Sequence, residues 1–312
     1  MCSASWRDLV TLVAVRSRPT LEWAPGPEVL ALAPGATDVG PVAEVVAAGG
    51  VVVLSGAGIS TESGIPDYRG ETGSLRTHTP MTYGDFQGSE EARRRYWARS
   101  HLGWRTIARA APNDGHRAVA ALQARGYLSG IITQNVDGLH QAAGARDVIE
   151  LHGNLDRIVC LDCGTTSPRE VLDRRLRAAN QAFTAEATRI NPDGDVELPD
   201  DVVRTFRVVP CTVCGGVLKP DVVFFGENVP KARVQRCYDL IDDANAVLVL
   251  GSSLTVMSGF RFVRHAAKAG TPVLIVNQGL TRGDPYATYR VNLPLGKALT
   301  DLLAETTGPS HA

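Results

Sequence analysis

Residues 51–69 read Val51-Val52-Val53-Leu54-Ser55-Gly56-Ala57-Gly58-Ile59-Ser60-Thr61-Glu62-Ser63-Gly64-Ile65-Pro66-Asp67-Tyr68-Arg69. The opening run is too uniformly apolar for a half-exposed edge strand. It suits a parallel sheet covered on both faces. Two glycines at the carboxyl end of such a strand let the backbone turn sharply and approach a pyrophosphate, whose charge then rests on backbone N–H groups. The spacing is Gly56-x-Gly58 with the next glycine at Gly64, so the GxGxxG dinucleotide fingerprint is met only approximately. A helix is expected to start near Ser60 or Thr61. Beyond it, Asp67, Tyr68 and Arg69 stand in a Gly/Pro-flanked loop suited to covering a bound ligand.

Working outward, three more apolar strands end in the same way. Gly130–Thr133 runs into Gln134-Asn135-Val136-Asp137-Gly138-Leu139-His140, Ala246–Leu250 into Gly251-Ser252-Ser253, and Pro272–Val276 into Asn277-Gln278-Gly279. Small and amide-bearing residues at the carboxyl ends of parallel strands line the crevice where open α/β sheets bind ligands. Helices are expected at Pro41–Ala48, closed by Gly49-Gly50, and at Arg117–Arg125, with Asn113 or Asp114 as its N-cap and His116 as a packing or capping residue. Ser89 to Ala110 has helical period and an aromatic stripe of Tyr96, Trp97 and Trp104. Such a stripe reads as core more readily than as an acyl channel.

Glu150-Leu151-His152-Gly153-Asn154-Leu155-Asp156 is followed by Cys160-x-x-Cys163 and, further on, Cys211-x-x-Cys214. Two such knuckles make a tetrahedral four-thiolate zinc site of the ribbon type. Disulfides are the competing reading, disfavoured in an intracellular chain. Four thiolates leave no open coordination position, so the ion is structural. Between the knuckles, Pro168–Ala187 looks helical, and Asn191-Pro192-Asp193-Gly194-Asp195 reads as a surface turn without EF-hand spacing. Leu218-Lys219-Pro220-Asp221-Val222-Val223-Phe224-Phe225-Gly226-Glu227 then returns to the large sheet, either as an interior strand or as an exposed edge that accepts a peptide strand beside Ser253–Ser258.

With 312 residues, 44% of them hydrophobic, the chain is long enough for two domains or one large domain with an insertion. Its formal net charge of -1 gives no basic surplus for nucleic acid or an anionic membrane. No apolar run approaches the roughly 18 residues of a membrane span. Residues 1–20 are faintly like a transit peptide but read better as an extension or an early start codon, and 19–41 as a loosely held Pro/Gly/Ala arm with Trp23 and Leu30 as anchors. The expected location is the bacterial cytoplasm, with the mitochondrial matrix as the alternative.

The run from Gly56 to Arg69, Gln134-Asn135-Val136-Asp137, His152-Gly153, the two CxxC pairs, Phe225-Gly226-Glu227, Gly251-Ser252-Ser253 and Asn277-Gln278-Gly279 resembles, in order, the motifs of the sirtuins, NAD-dependent protein deacylases. The Asp-Tyr-Arg ending resembles their class II branch. The resemblance covers roughly Pro41 to Leu303 and implies an α/β fold: a Rossmann-like parallel sheet domain with a discontinuous small domain made of a zinc ribbon and a helical insertion. The expected division is an extension (1–40), a large domain (41–75, 111–152 and 217–312) and a small domain (76–110 and 153–216).

The resemblance implies NAD held by Gly56, Ala57, Gly58, Ser60, Asp67, Tyr68, Arg69, Gln134, Asn135, Val136, Asp137, Gly251, Ser252, Ser253, Asn277, Gln278, Gly279 and Leu295. Asn135 and Asp137 would shape the nicotinamide pocket. The acyl-lysine oxygen would attack the ribose C1′ to give an O-alkylimidate, and His152 would be the general base for a ribose hydroxyl, its ordinary pKa of about 6.5 suiting that task. Products would be nicotinamide, free lysine and O-acyl-ADP-ribose. Gly70–Thr79 contains no tyrosine, which disfavours small dicarboxyl acyl groups, held in family members by a Tyr-x-x-Arg pair. Partners are acylated lysines of proteins, with oligomeric state open. The competing readings are a protein mono-ADP-ribosyltransferase, a non-catalytic NAD or ADP-ribose sensor, and a bare NAD hydrolase.

Overall fold

The computed structural model describes residues 23–68, 80–185 and 194–306. Its strands are β1 Val51–Ser55, β2 Leu128–Thr133, β3 Val148–Glu150, β4 Gly153–Cys160, β5 Thr166–Pro168, β6 Leu218–Val222, β7 Ala246–Leu250, β8 Val273–Val276 and β9 Tyr289–Val291. The helices are α1 Pro27–Leu30, α2 Gly40–Ala47, α3 Tyr83–Gly88, α4 Glu90–Ile107, α5 Asp114–Ala124, α6 Leu139–Ala142, α7 Arg169–Ala179, α8 Asp200–Thr205, α9 Lys231–Asp242, α10 Met257–Ala269 and α11 Leu295–Glu305.

The large sheet has the order β3-β2-β1-β7-β8-β9, with every neighbouring pair parallel. Successive side chains of β1 point to opposite faces, so a strand covered on both sides must be apolar at every position. Val51 and Val53 join one core with α2, α5 and α11, through Val46, Val119, Leu122, Leu299 and Leu302. Val52 and Leu54 join a second core on the far face with α9 and α10, through Ile241, Phe262, Val263 and Ala266. The strand order reverses between β1 and β7. That is the topological switch point at which doubly wound sheets open a crevice.

β5-β4-β6 form a separate three-stranded antiparallel sheet. Its core includes Trp97, Trp104 and Ile107 of α4, Leu172 and Leu176 of α7, and Ile158 and Leu218. The aromatic stripe of α4 is therefore core, with Tyr96 4%, Trp97 1% and Trp104 8% exposed. Arg169 at the start of α7 is buried beneath it. Its guanidinium carbon lies 5.2 Å from the Trp97 ring centroid and 4.9 Å from that of Trp104, and Nη2 donates to the Ser100 carbonyl at 3.2 Å. Burial lowers its pKa to about 10, well above neutrality, so the charge persists and the ring faces compensate for its lost hydration. Arg169→Ala is expected to lower stability by about 2–4 kcal/mol through the lost packing and cation–π contacts. A urea unfolding midpoint equal to that of the parent would contradict this.

Several expectations change in detail. Instead of a helix from Ser60 or Thr61, two short 3-10 turns span Ala57–Ile59 and Thr61–Ser63. The Gly58 carbonyl accepts from Thr61 Oγ1 at 3.0 Å and the Ile59 carbonyl from Asn113 Nδ2 at 2.7 Å, while the Ser60 and Thr61 carbonyls accept from Ser63 N and Gly64 N, three residues on, so the bonds close as 3-10 turns. Gly64, left-handed at φ 82°, then ends the run. The reading of Asn191–Asp195 as a surface turn fails at its end. Gly194 packs on Ile107 and Leu155, and Asp195, 4% exposed, pairs with Arg99 at 3.1 Å; residues 191–193 lie outside the described residues. In the Pro/Gly/Ala arm it is Val29 that is buried, while Leu30 is exposed, and Ala36 bridges to Val291 beside β9. Residues 1–22 and 69–79, including Arg69, lie outside the described residues.

Candidate active site

The glycine turn is set against a second turn across the switch point. Gly56 N donates to the Leu250 carbonyl at 2.9 Å and Gly58 N to the Gly251 carbonyl at 2.8 Å. A Cβ on Gly58 would stand 2.9 Å from Gly251 Cα, so only glycine permits this approach. Gly251, at φ 57°, is hemmed in by Leu295 and Ile59. Glu62 Oε1 accepts from Gly296 N at 2.9 Å, which ties the turn to the start of α11.

Side chains from the ends of β1 and β2 form a connected group beside that turn. Asn135 Nδ2 donates to the Gly56 carbonyl at 3.1 Å and to Ser60 Oγ at 3.0 Å, and Ser60 Oγ donates to Asp137 Oδ2 at 2.7 Å. Leu139 N donates to the other Asp137 oxygen at 3.0 Å. Burial raises the Asp137 pKa above the usual carboxylate value in spite of these donors. Beneath them, His116 caps α5 with Asn113, and His140 lies 2.8 Å from Ser55 Oγ. Burial lowers their pKa values to about 4 and about 3. Both rings are neutral supports.

Gln134 Nε2 donates to Ser252 Oγ at 2.9 Å and to the Ser55 carbonyl at 3.3 Å, which bridges β1, β2 and the loop after β7. At the end of β8, Asn277 Nδ2 donates to the Gln278 and Gly279 carbonyls at 3.0 Å. Ser253 Oγ lies 3.1 Å from Thr255 Oγ1, and the Val136 carbonyl accepts from Leu155 N. Tyr68 reaches across to Phe225, their ring centroids 6.2 Å apart, and Asp67 lies just before it in the same loop. The expected contact residues, Arg69 aside, thus gather at the carboxyl edge of the large sheet or in the loop beside it.

His152 lies where the two sheets meet. Its carbonyl accepts from Val223 N at 2.8 Å, and Gly153, at φ 86°, faces the Asp221 carbonyl so closely that no side chain fits. Nδ1 is 2.9 Å from the Gln134 carbonyl, which can only accept, so the proton sits on Nδ1 and Nε2 carries the lone pair. Nε2 in turn is 2.7 Å from Ser258 Oγ. Burial lowers the imidazole pKa to about 4, partly offset by the Gln134 carbonyl and assisted by the charges of Arg233 and Arg261. The ring is a neutral acceptor at working pH. Nothing local in the sequence singles out Ser258, because it meets His152 only through the packing of α10 against β7 and β8.

The segment after β6 is braced from below. Lys219, 3% exposed, lies 3.0 Å from Glu227 Oε2, an oxygen that also accepts from Phe224 N at 2.8 Å. Phe225 pairs with Thr82, and its carbonyl accepts from Tyr83 N. The strand expectation for this stretch therefore divides. Leu218–Val222 is β6 of the small sheet, and Phe224–Glu227 is an irregular crossing beside the crevice. Across the crevice, Ser253–Val256 is loop, while Met257 and Ser258 already belong to α10.

The sulfur atoms of Cys160, Cys163, Cys211 and Cys214 all lie within 4.8 Å of one another, with Cys160–Cys214 at 3.5 Å and Cys163–Cys211 at 3.9 Å. A tetrahedron with zinc–sulfur bonds of about 2.3 Å needs sulfurs about 3.8 Å apart. Val213 N and Gly216 N each donate to a cysteine sulfur at 3.4 Å, as suits thiolates. The residues fit a closed four-thiolate zinc site, and the four cysteines are free of disulfides.

A family model described as the Sir2 family matches residues 56–258, from the glycine turn to Ser258. The chain belongs to the Sir2 family. Over 286 residues this Sir2 chain is 68% identical to NAD-dependent protein deacetylase 1 of Streptomyces coelicolor, covering 92% of this chain and 95% of that one. It is 50% identical over 264 residues to NAD-dependent protein deacetylase 1 of Mycobacterium avium, covering 83% and 92%. Among solved structures, a Sir2 complex with a p53 peptide and NAD+ matches with TM-score 0.69 at 29% identity, over 86% of this chain and 98% of that one. Sir2Tm bound to a propionylated peptide matches with TM-score 0.68, also at 29% identity and with the same coverage.

Proposed function

We propose that this Sir2 chain is an NAD-dependent protein-lysine deacylase that releases nicotinamide and O-acyl-ADP-ribose. The observation that carries the reading is the geometry of His152, an imidazole held neutral by burial with its proton fixed on Nδ1. Its Nε2 lone pair is thereby set as an acceptor. NAD supplies an electrophilic ribose carbon with nicotinamide as its leaving group.

The chain's residues do the rest. Gly56, Ala57 and Gly58 form the turn that approaches the phosphates: the Gly56 and Gly58 N–H groups are held by the Leu250 and Gly251 carbonyls, which fixes the turn and leaves Ala57 between them to face the ligand, with Leu295 closing the turn from the side. Ser60, Asn135, Val136 and Asp137 shape the nicotinamide pocket. The Asn135 to Ser60 to Asp137 bonds hold that pocket rigid before any ligand enters. Gln134 faces the nicotinamide ribose and Ser252 and Asn277 the other, with Ser253, Gln278 and Gly279 beside them, while the loop that carries Asp67 and Tyr68 covers the cofactor. Nε2 of His152 takes the proton of a ribose hydroxyl.

Phe224–Glu227, on its Lys219–Glu227 brace, presents backbone to the acylated peptide. Cys160, Cys163, Cys211 and Cys214 hold zinc, which ties the small sheet together and takes no part in the chemistry. The relatives are bacterial, and no helix among the described residues is long and apolar enough to cross a membrane. Together with the small net charge, this supports a protein of the bacterial cytoplasm acting on other proteins, with neither nucleic acid nor membrane as its main partner.

Mass spectrometry of products from NAD and a panel of acyl-lysine peptides tests the reading. Peptide-dependent O-acyl-ADP-ribose is expected, and the best peptide names the acyl group. ADP-ribose attached to protein, or free ADP-ribose with the peptides intact, would replace the deacylase by a transferase or a hydrolase.

A further inference from the structure

Ser258 is the second residue of α10, and its hydroxyl is the group in contact with the nitrogen of His152 that must accept a proton. α10 is fixed firmly enough for that contact to matter. Phe260, Phe262, Val263 and Ala266 are buried in the core on that face of the sheet. Gly259 lies directly against the Gln134 side chain, where a Cβ would stand 2.5 Å from Oε1. The residue whose carbonyl takes the Nδ1 proton is thus packed against the helix whose hydroxyl meets Nε2. Both imidazole nitrogens are held by one rigid unit.

The bonding order has only one consistent form. Gln134 O cannot donate, so Nδ1 donates to it, and Nε2 then accepts from Ser258 Oγ. A hydroxyl of the protein therefore already makes the hydrogen bond that a ribose hydroxyl makes when His152 acts as base. The charged groups whose fields reach the ring are Arg233 on α9 and Arg261 on α10. Both are cations, and neither replaces a donor at Nε2. Arg233 Nη1 donates to the Leu151 carbonyl, and Arg261 Nε to the Met257 carbonyl.

We propose that Ser258 is a positioning residue for His152, its hydroxyl locking the ring plane and the Nδ1–H tautomer and standing in for the substrate hydroxyl until that group displaces it. The inference rests on the reading of His152 as the base. Serine suits the task because its hydroxyl donates in the resting site and, by rotating about one bond, can turn to another partner when the substrate hydroxyl arrives. A hydrogen bond donated to the neutral imidazole also disfavours the imidazolium, so its loss raises the basicity of the ring.

The test compares the parent protein with Ser258→Ala and with Ser258→Thr, which keeps a hydroxyl. The first readout is the titration of the His152 ring by NMR on the NAD-free protein, with His152→Gln used to assign the signal. Ser258→Ala is expected to move its midpoint up by about half to one pH unit, the equivalent of one neutral hydrogen bond, and Ser258→Thr to restore it. The second readout sets peptide deacylation against nicotinamide exchange into NAD, which reports the chemistry before the base acts. In Ser258→Ala, deacylation at neutral pH should fall about three- to tenfold while exchange stays within about twofold.

An unmoved His152 midpoint, or exchange and deacylation falling together in Ser258→Ala but not in Ser258→Thr, overturns the proposal. A parent protein that deacylates none of the peptides overturns the deacylase reading itself, and the NMR titration still decides whether Ser258 holds the ring.

Discussion

His152→Ala is expected to lower peptide deacylation by about 10²–10⁴-fold, the usual contribution of a positioned general base. NAD affinity should stay within a few-fold of the parent, because the phosphate turn, Gln134 and the Asn135–Ser60–Asp137 group lie on other elements and keep their own partners. Nicotinamide exchange should fall far less than deacylation. The reason is the proposed division of labour in the site, in which the group beside the glycine turn holds NAD and the imidazole acts on the ribose hydroxyl. Product quantification with saturating NAD measures the split. Equal losses of exchange and deacylation would place His152 in cofactor binding and remove it as the base.

Removing zinc is the second large perturbation. Stripping the ion with a chelator, or making Cys160→Ser, is expected to loosen the zinc end of the β5-β4-β6 sheet and abolish deacylation. Structural zinc contributes about 10–16 kcal/mol of folding free energy in isolated fingers, although here part of the small core survives on its own contacts. That core joins Trp97, Trp104, Leu172 and Leu176 to Ile158 and Leu218, so a partial loss is expected, seen as a lower and broader thermal transition. Activity goes with it because His152 directly precedes β4, and the segment proposed to face the peptide follows β6, the two strands that flank the zinc site. Thermal unfolding alongside metal analysis checks this. A metal-free protein with an unchanged transition and full activity would show the four cysteines to be dispensable.

Legibility of the sequence followed burial. β7 and β8 throughout, β1 up to its closing Ser55 and β2 at Ile131 and Ile132 are apolar because both of their faces are covered, and such runs leave a plain trace. β3 and β9, three residues each at the sheet's two edges, are too short to show a period and were not foreseen. The helix expected after the glycine turn is cut to 3-10 turns because left-handed Gly64 and then Pro66, which has no N–H to give, follow within about one turn of its start, and Asn113, from a distant stretch of chain, fixes the Ile59 carbonyl before it. The site shows the same division. Gly56, Gly58, Gln134, Asn135, Asp137 and His152 stand in short contiguous motifs, whereas Ser258 and the burial of Asp195 depend on contacts about a hundred residues apart. The membership of Arg169 in a tryptophan-lined core is likewise invisible to any local window.

The pairing of Val51 with Ala246, and of Glu62 with the amide of Gly296, has a consequence for the order of events on the ribosome. The signature glycines are made early, yet the strand beside them and the helix that clasps their turn emerge only after both cysteine pairs. Until then β1 offers an unpaired apolar edge while the cysteine-bearing segment is already available to metal. Zinc can therefore be acquired by a nascent chain whose NAD crevice has not yet closed. A truncation before residue 246 would leave a metal-binding fragment with no cofactor site, and the competence to bind NAD becomes a mark that synthesis has passed α11.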